Sequence, residues 1–493
     1  MKKRRISRKI LILLVIAVAV IGGVLFCVRK REDSMKEVSA TIRTNEIVRG
    51  SNDSGAYYLD VNQTGIFYLD NGKMKYLDYE TGKSYYICDK ANCLHQNKNC
   101  GSYAVNFSGF AAYNGNLYAI RKDHQTNSYD LIRMEMNGTS RKVLATIDSR
   151  DFGKNKQEDG NLDLEYEDIY YAYGKVYFQI QYSENEYFEN AEGQSETVYS
   201  NPETMIQIMC VDLEGGEKEV LAEATGAAID TELELSLISE DKIIMVKKEA
   251  PEVLTGLEFE QKLNDAVFVK QLKEMRESVP EDQMQDSWKE SLSAFYVEYA
   301  KYYMTNCTYS ILVMNCGTGD VTTLAEQTCE LWYDQKGTVQ GFHTPYSILD
   351  WYEGDIILFS MDEKEGDIKD TKLWRWKLSE KEPEKLMDIG NGSFPMMSFG
   401  TVKKYVHDGN ELIYLIYCDD GENAEIQLYH LDTGKSEILY QDTKYVTFRF
   451  LGETQDFFIG DMVDGDHHGI YKIQKDDYYA GNLDKAEFLL SAE

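Results

Sequence analysis

The stretch Ile426–Leu439, "IQLYHLDTGKSEIL", decides the fold class because it combines a strand pattern with a turn signal. Apolar and more polar residues alternate from Ile426 to Tyr429, as they do in a strand with one buried face. Gly434 then supplies the positive φ that a tight hairpin turn requires. The stretch therefore predicts two antiparallel strands joined by a short turn.

This hairpin signal recurs along the chain in a nine-residue register that begins and ends with an apolar residue. Four copies place glycine at the fourth position, and a looser seventh copy follows "GIYKI" near Ile473. An alternating strand such as "IQIMCVD" or "YSILVMN" precedes each turn. The six clear copies are Tyr79–Ile87, Met136–Leu144, Leu213–Leu221, Cys316–Leu324, Leu378–Leu386 and Leu431–Leu439.

Each hairpin has a second pair of strands upstream, with examples in "FAAYNGNLYAIRK" and "VHDGNELIYLIYC". Units of four antiparallel strands at a period of roughly 40–60 residues are typical of β-propeller blades. The sequence therefore predicts an all-β propeller of seven blades, with six or eight as alternatives. "GAYYLD" (Gly55–Asp60) is expected to add a strand to the last blade and close the ring. The predicted blades are 56–100, 107–147, 166–224, 234–326, 346–388, 402–441 and 447–490.

The N-terminus predicts a membrane anchor. Residues 10–28 form an uncharged and almost wholly apolar run, long enough to cross ~30 Å of hydrocarbon as a helix. Six basic residues precede this run, and acidic residues soon follow it, so the positive-inside rule keeps the N-terminus in the cytoplasm. We expect a cytoplasmic tail (1–9), a single transmembrane helix (10–28), a linker (29–54) and an extracellular propeller (55–493) at the cell membrane.

One segment interrupts the strand pattern. Within 252–305, apolar residues recur at helical spacing on both sides of Pro280. The pattern predicts an α-helical hairpin inserted in the fourth blade, either as packed decoration or as a lid or docking surface.

The net charge of the chain limits the kinds of molecule that it can bind. The chain has 52 basic and 84 acidic residues, and residues 1–32 contain nine of the basic residues and only one acidic residue. An acidic ectodomain repels nucleic acid and anionic membrane surfaces. Its hydrophobic content of 43% is nevertheless sufficient for a folded core. We expect a monomer that binds no nucleic acid.

The segment "ICDKANCLHQNKNC" brings Cys88, Cys93, His95 and Cys100 together within one predicted loop after the first blade. Three thiolates and one imidazole form a tetrahedral Cys₃His set for zinc. Outside the cell, however, thiols tend to oxidise. A disulfide between Cys93 and Cys100, or between Cys88 and Cys93, is therefore the competing interpretation, and free thiols are a third. No other cofactor is indicated.

Two other groups of residues are interpreted as structural. Cys316, Cys210 and Cys418 occupy apolar strand positions and are expected to be buried residues, although a Cys316–Cys329 bridge across a hairpin is an alternative. Cys307 and Cys316 flank one strand and should not pair. "DGDHHG" (Asp464–Gly469) lacks calcium-loop spacing, so it is interpreted as a solvated acidic turn rather than a cation site.

The chain lacks the signals of several enzyme classes. It contains no G-x-S-x-G elbow, P-loop or Rossmann glycine set, and no catalytic residue is assigned. The leading hypothesis is a binding or scaffold module for a protein, peptide or glycan. The alternative is an extracytoplasmic hydrolase or lyase acting on glycans or peptides, with carboxylates at the channel mouth.

The blade turns and the segment "CDKANCLHQNKNCGSYA" resemble those of membrane-anchored bacterial β-propeller proteins with TolB-like or YWTD-like strand patterns. The blades lack a YWTD tetrapeptide, so the likeness is one of architecture. It implies a scaffold and supplies no reaction.

Overall fold

The computed structural model describes residues 48–491 with internal gaps. The gaps are 50–51, 54–57, 89, 91–92, 155–159, 166–168, 185–187, 190–194, 197–202, 228–230, 240, 250–306, 329, 334–338, 344, 353, 365–366, 392–405, 408–410, 418–423, 431–432, 443–447 and 465–466. The predicted transmembrane helix (10–28) and helical insertion (252–305) lie outside the described residues. Within the described part, no helix is long and apolar enough to cross a bilayer.

The first two sheets follow the chain. Strand β1 (Val48–Arg49) joins the third sheet. Sheet 1 contains β2 (Asn52–Asp53), β3 (Tyr58–Val61), β4 (Gly65–Asp70), β5 (Lys73–Asp78) and β6 (Lys83–Tyr86), each paired with the next. Sheet 2 contains β7 (Phe107–Tyr113), β8 (Asn116–Asp123), β9 (Ser128–Glu135) and β10 (Lys142–Ile147).

In sheets 3 and 4, the four main strands again pair in chain order. Sheet 3 contains β1 with β11 (Gly160–Leu164), β12 (Tyr170–Ala172), β13 (Lys175–Glu184), β16 (Glu203–Asp212) and β17 (Lys218–Ala227). A separate ribbon pairs β14 (Phe188–Glu189) with β15 (Ser195–Glu196). Sheet 4 contains β18 (Glu232–Ser239), β19 (Lys242–Glu249), β20 (Thr308–Asn315) and β21 (Val321–Thr328).

The last three sheets complete the chain. Sheet 5 contains β22 (Glu330–Tyr333), β23 (Val339–His343), β24 (Ser347–Tyr352), β25 (Asp355–Lys364), β26 (Asp367–Lys377) and β27 (Glu384–Asn391). Sheet 6 contains β28 (Val406–His407), β29 (Glu411–Tyr417), β30 (Ala424–His430) and β31 (Lys435–Asp442). Sheet 7 contains β32 (Arg449–Glu453), β33 (Phe457–Asp464), β34 (His467–Gln474) and β35 (Glu487–Ser491), with a short helix α1 (Lys475–Tyr479) before its last strand.

Hydrophobic clusters join neighbouring sheets around a ring. Met74 of sheet 1 and Phe110 of sheet 2 share one cluster, and Tyr113 and Tyr171 connect sheets 2 and 3 in the next. Further clusters connect sheet 3 with 4, 4 with 5 and 6 with 7, and the Tyr429 hydroxyl of sheet 6 donates to the Leu386 carbonyl of sheet 5 at 3.3 Å. The predicted all-β propeller is confirmed.

The ring closes by side-chain packing between complete sheets. Ile66 and Leu77 of sheet 1 pack with Ile459 and Ile470 of sheet 7. The expectation that Gly55–Asp60 adds a strand to the last blade is wrong, because Tyr58–Val61 pairs with β4 of sheet 1 instead. In addition, β1 and β2 fall inside the segment predicted as a linker (29–54), so described structure begins at Val48.

Candidate metal centre

The candidate site lies on the connection between sheets 1 and 2, from the end of β6 to the start of β7. Both limbs of this loop are hydrogen-bonded to the β4–β5 hairpin. Ile87 N donates to Met74 O at 3.4 Å on the outgoing limb, and Met74 N donates to Ser102 O at 2.7 Å on the returning limb. Ala104 N donates to Gly72 O at 2.8 Å. The loop therefore leaves and returns at one fixed place.

All four predicted ligands converge in this loop. The candidate ligand atoms of Cys88, Cys93, His95 and Cys100 lie within 4.8 Å of one another. In a tetrahedral Cys₃His zinc site, ligand atoms are separated by about 3.6–3.8 Å, given Zn–S and Zn–N bonds of about 2.3 and 2.0–2.1 Å. The observed cluster is thus close to the size that a zinc ion requires. Cys88 and Cys100 are buried, whereas Cys93 and His95 are half-buried.

The three thiols are not paired with one another in disulfides, in the part of the chain that the structure describes. Cys88 and Cys100 are the first and last ligands, and they lie at the buried base of the loop. The geometry therefore brings all four side chains to one centre rather than selecting a pair of cysteines.

Hydrogen bonds orient the two buried cysteines. Cys88 N donates to the Ser102 hydroxyl at 3.0 Å, and Ser102 N donates to Cys100 Sγ at 3.3 Å. Burial raises the pKa of Cys88, but hydrogen bonds from the Lys90 and Gly101 backbone and from the neighbouring thiols bring this pKa below its usual value. Burial raises the pKa of Cys100 to about 11. Of these two thiols, Cys88 is therefore the more readily ionised.

His95 is fixed by its backbone and by an aromatic neighbour. Its φ of 55° lies in the left-handed region, which is uncommon for a residue with a side chain. Its ring stacks on Tyr86 with centroids 4.2 Å apart, and its Nδ1 lies 3.2 Å from Cys100 Sγ. The ring is therefore directed toward the thiols at some conformational cost, as expected of a ligand-binding residue.

The loop is also attached to sheet 2. The Arg141 guanidinium donates to Gly101 O at 2.6 Å and to Gly138 O at 3.0 Å. Burial lowers the pKa of Arg141, while the Cys100 and Cys88 thiols raise it. A zinc ion with three thiolates has a net negative charge, which a neighbouring guanidinium stabilises. Sequence reasoning missed Arg141, Ser102 and Tyr86, since no spacing signal connects them with the cysteines.

In sheet 1, the cysteine loop takes the place of the second half of the last strand. In each of the six other sheets, the last strand has a β-bulge at a leucine and then continues; these residues are Leu144, Leu221, Leu324, Leu386, Leu439 and Leu489. Strand β6 instead ends at Tyr86, before the equivalent position. The returning limb of the loop then pairs with β5, through the Lys73–Tyr103 bridge.

The cysteine loop also replaces the end of the outer strand at the contact with the next sheet. The Leu144 carbonyl lies against Gly216 of sheet 3, and the Leu439 carbonyl lies against Gly481 of sheet 7. At sheet 1 the Gly101 carbonyl has this role, since it lies against Gly138 of sheet 2. The cysteine loop thus replaces the outer strand end in the joint between sheets 1 and 2.

The other sequence candidates do not form a comparable cluster. Among the described residues, the four-residue group above is the one set of three or more potential ligands close enough to hold an ion. In "DGDHHG", Asp464 pairs with His467 across β33 and β34, while His468 Nε2 lies 2.9 Å from Asp461 Oδ1. Cys210 is buried and Cys316 is half-buried. Cys307 and Cys316 lie at opposite ends of β20 and form no disulfide with each other. Cys329 and Cys418 lie outside the described residues.

The comparisons with known proteins found similarity in architecture only. No protein-family model and no curated protein matches the sequence. Among solved structures, the β-propeller domain of the Trilobed protease from Pyrococcus furiosus is 10% identical with a TM-score of 0.43, covering 89% of this chain and 99% of that one. An oligogalacturonate lyase in complex with manganese is 10% identical (TM-score 0.40; coverage 87% and 90%). TolB from Acinetobacter baumannii is 11% identical (TM-score 0.27; coverage 86% and 77%). At these TM-scores the likenesses carry no functional argument.

Proposed function

We propose that this chain is a membrane-tethered, extracytoplasmic propeller that acts as a binding scaffold, and that Cys88, Cys93, His95 and Cys100 hold one structural zinc ion. The observation that carries the zinc site is the convergence of four ligand atoms within 4.8 Å on a loop that replaces a strand end, and the membrane tether and binding role rest on the sequence. We further propose seven blades, one for each sheet of four or more strands among the described residues.

The ligand set favours a structural role over a catalytic one. Catalytic zinc sites keep one position open for water or substrate, whereas structural sites are filled by four protein ligands. Here three cysteines and one histidine supply all four positions, and two of the cysteines are buried. The ion would hold both limbs of the loop beside β5, so that the Gly101 carbonyl stays against sheet 2.

The test is the metal content of the full chain purified without oxygen, with Cys93→Ser and Cys316→Ser as matched variants. We expect one zinc per chain in the wild type and in Cys316→Ser, because Cys316 lies outside the cluster. Cys93→Ser should lose most of the zinc. Absence of zinc from the wild type, together with a Cys93–Cys100 or Cys88–Cys93 disulfide in its peptide map, would support the disulfide interpretation instead.

The binding function is tested separately with the purified full chain. Glycan arrays and peptide libraries should show retained ligands without chemical change. Mass spectrometry of the same mixtures would detect cleaved or eliminated products, and such products would favour the alternative hydrolase or lyase.

A further inference from the structure

The three cysteines of the candidate zinc site differ in their access to solvent. Cys88 and Cys100 are 2% and 3% exposed, whereas Cys93 is half-buried. The residue after Cys93, Leu94, is 79% exposed, so the chain at this point lies at the outer surface of the loop. A small oxidant dissolved in water therefore reaches Cys93 more readily than the other two thiols.

Cationic side chains lie around the same thiols. Lys90 Nζ donates to Asn99 O at 2.6 Å, and the Arg141 guanidinium donates to Gly101 O at 2.6 Å, so the two cations bind the residues on either side of Cys100. Cys93 N in turn donates to Lys90 O at 3.2 Å. Cysteines that react with oxidants typically lie in partly exposed and electropositive surroundings. Cys93 has such surroundings.

Two further thiols are close enough to form a disulfide with Cys93. The sulfur atoms of Cys88, Cys93 and Cys100 all lie within 4.8 Å of one another. A disulfide joins two sulfurs at about 2.0 Å, so a shift of about 3 Å or less is sufficient. An accessible thiol next to a second thiol is the arrangement that makes oxidation reversible, because the first product is converted to a disulfide.

We propose that this centre is a redox switch, in which hydrogen peroxide oxidises the Cys93 thiolate and the resulting disulfide expels the zinc ion. This inference rests on the zinc site proposed above. It makes the metal site and the disulfide two states of one centre, since the reduced thiolates hold zinc and the oxidised pair cannot.

The oxidation has two steps. In the first step the Cys93 sulfur attacks one peroxide oxygen: an S–O bond forms, the O–O bond breaks, and the second oxygen leaves as hydroxide, which takes up a proton to become water. In the second step the Cys88 or Cys100 thiolate attacks this sulfenic sulfur: an S–S bond forms, the S–O bond breaks, and the oxygen leaves with a proton as a second water. The two sulfurs together lose two electrons, and the peroxide gains them.

The disulfide removes two of the four zinc ligands. One thiolate and one imidazole do not complete a tetrahedral set, so the ion leaves. Without the ion, the two limbs of the loop are no longer held together, and the Gly101 carbonyl loses its support against Gly138 of sheet 2. Peroxide therefore weakens the joint between sheets 1 and 2, and a dithiol reductant with zinc restores it.

The test uses the zinc-loaded full chain, purified without oxygen, with Cys93→His and Cys316→Ser as matched variants. Cys93→His keeps four ligand side chains but removes the accessible thiol, and Cys316 lies outside the cluster. We expect peroxide to release zinc to a chromophoric chelator about tenfold or more faster from the wild type and Cys316→Ser than from Cys93→His. Peptide mapping should then find a disulfide that includes Cys93, and a dithiol should reverse it.

A second measurement needs no variant. Dimedone, which traps sulfenic acids, should label Cys93 before Cys88 or Cys100 in the peroxide-treated wild type. Labelling of a buried cysteine first, a Cys88–Cys100 disulfide, or zinc that stays bound under peroxide would overturn the switch and leave the zinc site intact. Equal release from a zinc-loaded Cys93→His would overturn it as well. A wild type that binds no zinc would refute the zinc site, and the switch with it.

Discussion

Asp60 shows how one buried carboxyl couples two sheets. It lies on β3, is 4% exposed, and accepts a hydrogen bond from Ala112 N of β7 at 2.7 Å. Burial raises its pKa to about 7, and this hydrogen bond lowers the pKa only in part. Burial, and to a smaller extent the charge of this carboxyl, raises the pKa values of Tyr76, Tyr79 and Tyr171. The carboxyl thus avoids ionisation in the folded state up to near-neutral pH.

This shift predicts a pH-dependent stability. The unfolded chain ionises Asp60 near its ordinary pKa of 3.8, whereas the folded chain does so only near 7. Asp60 therefore destabilises the fold progressively as the pH rises from about 4 to 7, by up to about 4 kcal/mol at 1.36 kcal/mol per pKa unit. Asp60→Asn should flatten the fall in unfolding temperature over this range. Exposed Asp320→Asn is the control, and an unchanged pH profile in Asp60→Asn would contradict the assignment.

Ser102 is predicted to tune the proposed zinc site without ligating the ion. Its hydroxyl accepts the Cys88 backbone hydrogen bond at 3.0 Å, so Ser102→Ala removes an orienting contact beside a ligand. Such contacts are worth about 10–100-fold in metal affinity. We expect the zinc dissociation constant of Ser102→Ala to rise by about that factor in competition with a chromophoric chelator. Ser108→Ala, which removes a different buried hydroxyl bonded to Ile120 O, should leave zinc affinity unchanged.

At the scale of elements, the joint between the cysteine loop and sheet 2 depends on a glycine. Gly138 has a φ of 72°, and an added Cβ would overlap the Gly101 carbonyl. Gly319 has a φ of 74° in the corresponding turn of sheet 4, with no atom within 4 Å of an added Cβ. Alanine at Gly319 therefore carries the cost of left-handed backbone alone, about 1–2 kcal/mol.

Gly138→Ala should lower the free energy of unfolding by a further 1–3 kcal/mol or so beyond Gly319→Ala, because backbone must shift to relieve the overlap. Denaturant unfolding of the two variants measures the difference. Equal losses would show that the Gly101–Gly138 contact adds nothing to the joint.

The sequence predicted the strands and hairpins better than it predicted the contacts between sheets. Alternation and turn glycines gave the hairpins, because these signals are local. The ninth residue of the register was identified as apolar. That this residue forms a β-bulge, as Leu144 and Leu439 do, depends on pairing with the neighbouring strand. The early end of β6 could not be predicted for the same reason. The cysteine cluster was predicted as a ligand set, whereas Arg141 is brought to the loop by the packing of sheet 2.

At the scale of the whole molecule, the ring closes between complete sheets. Sheet 7 meets sheet 1 through Ile459 and Ile66, and Gln455 N donates to the Gln63 side chain at 2.9 Å. No strand is exchanged across this joint among the described residues. The closure was predicted incorrectly, because an alternating segment such as Gly55–Asp60 does not specify which sheet it joins.

Ile459→Ala should therefore destabilise the whole ring. The side chain is fully buried, and removal of a buried isoleucine side chain costs about 2–5 kcal/mol. We expect a single cooperative loss of stability in thermal unfolding, since this joint has no exchanged strand to hold it. A second, separate transition that reports sheet 7 alone would contradict a closed ring.

In the central proposal, a metal ion completes the strand end that sheet 1 lacks. The most direct measurement is the zinc content of the full chain, purified without oxygen, combined with its unfolding temperature before and after chelation. We expect one zinc per chain and a clear fall in unfolding temperature when the zinc is removed, with both effects absent in Cys93→Ser. A wild-type chain that carries no zinc, or that loses its zinc with no change in unfolding temperature, would contradict it.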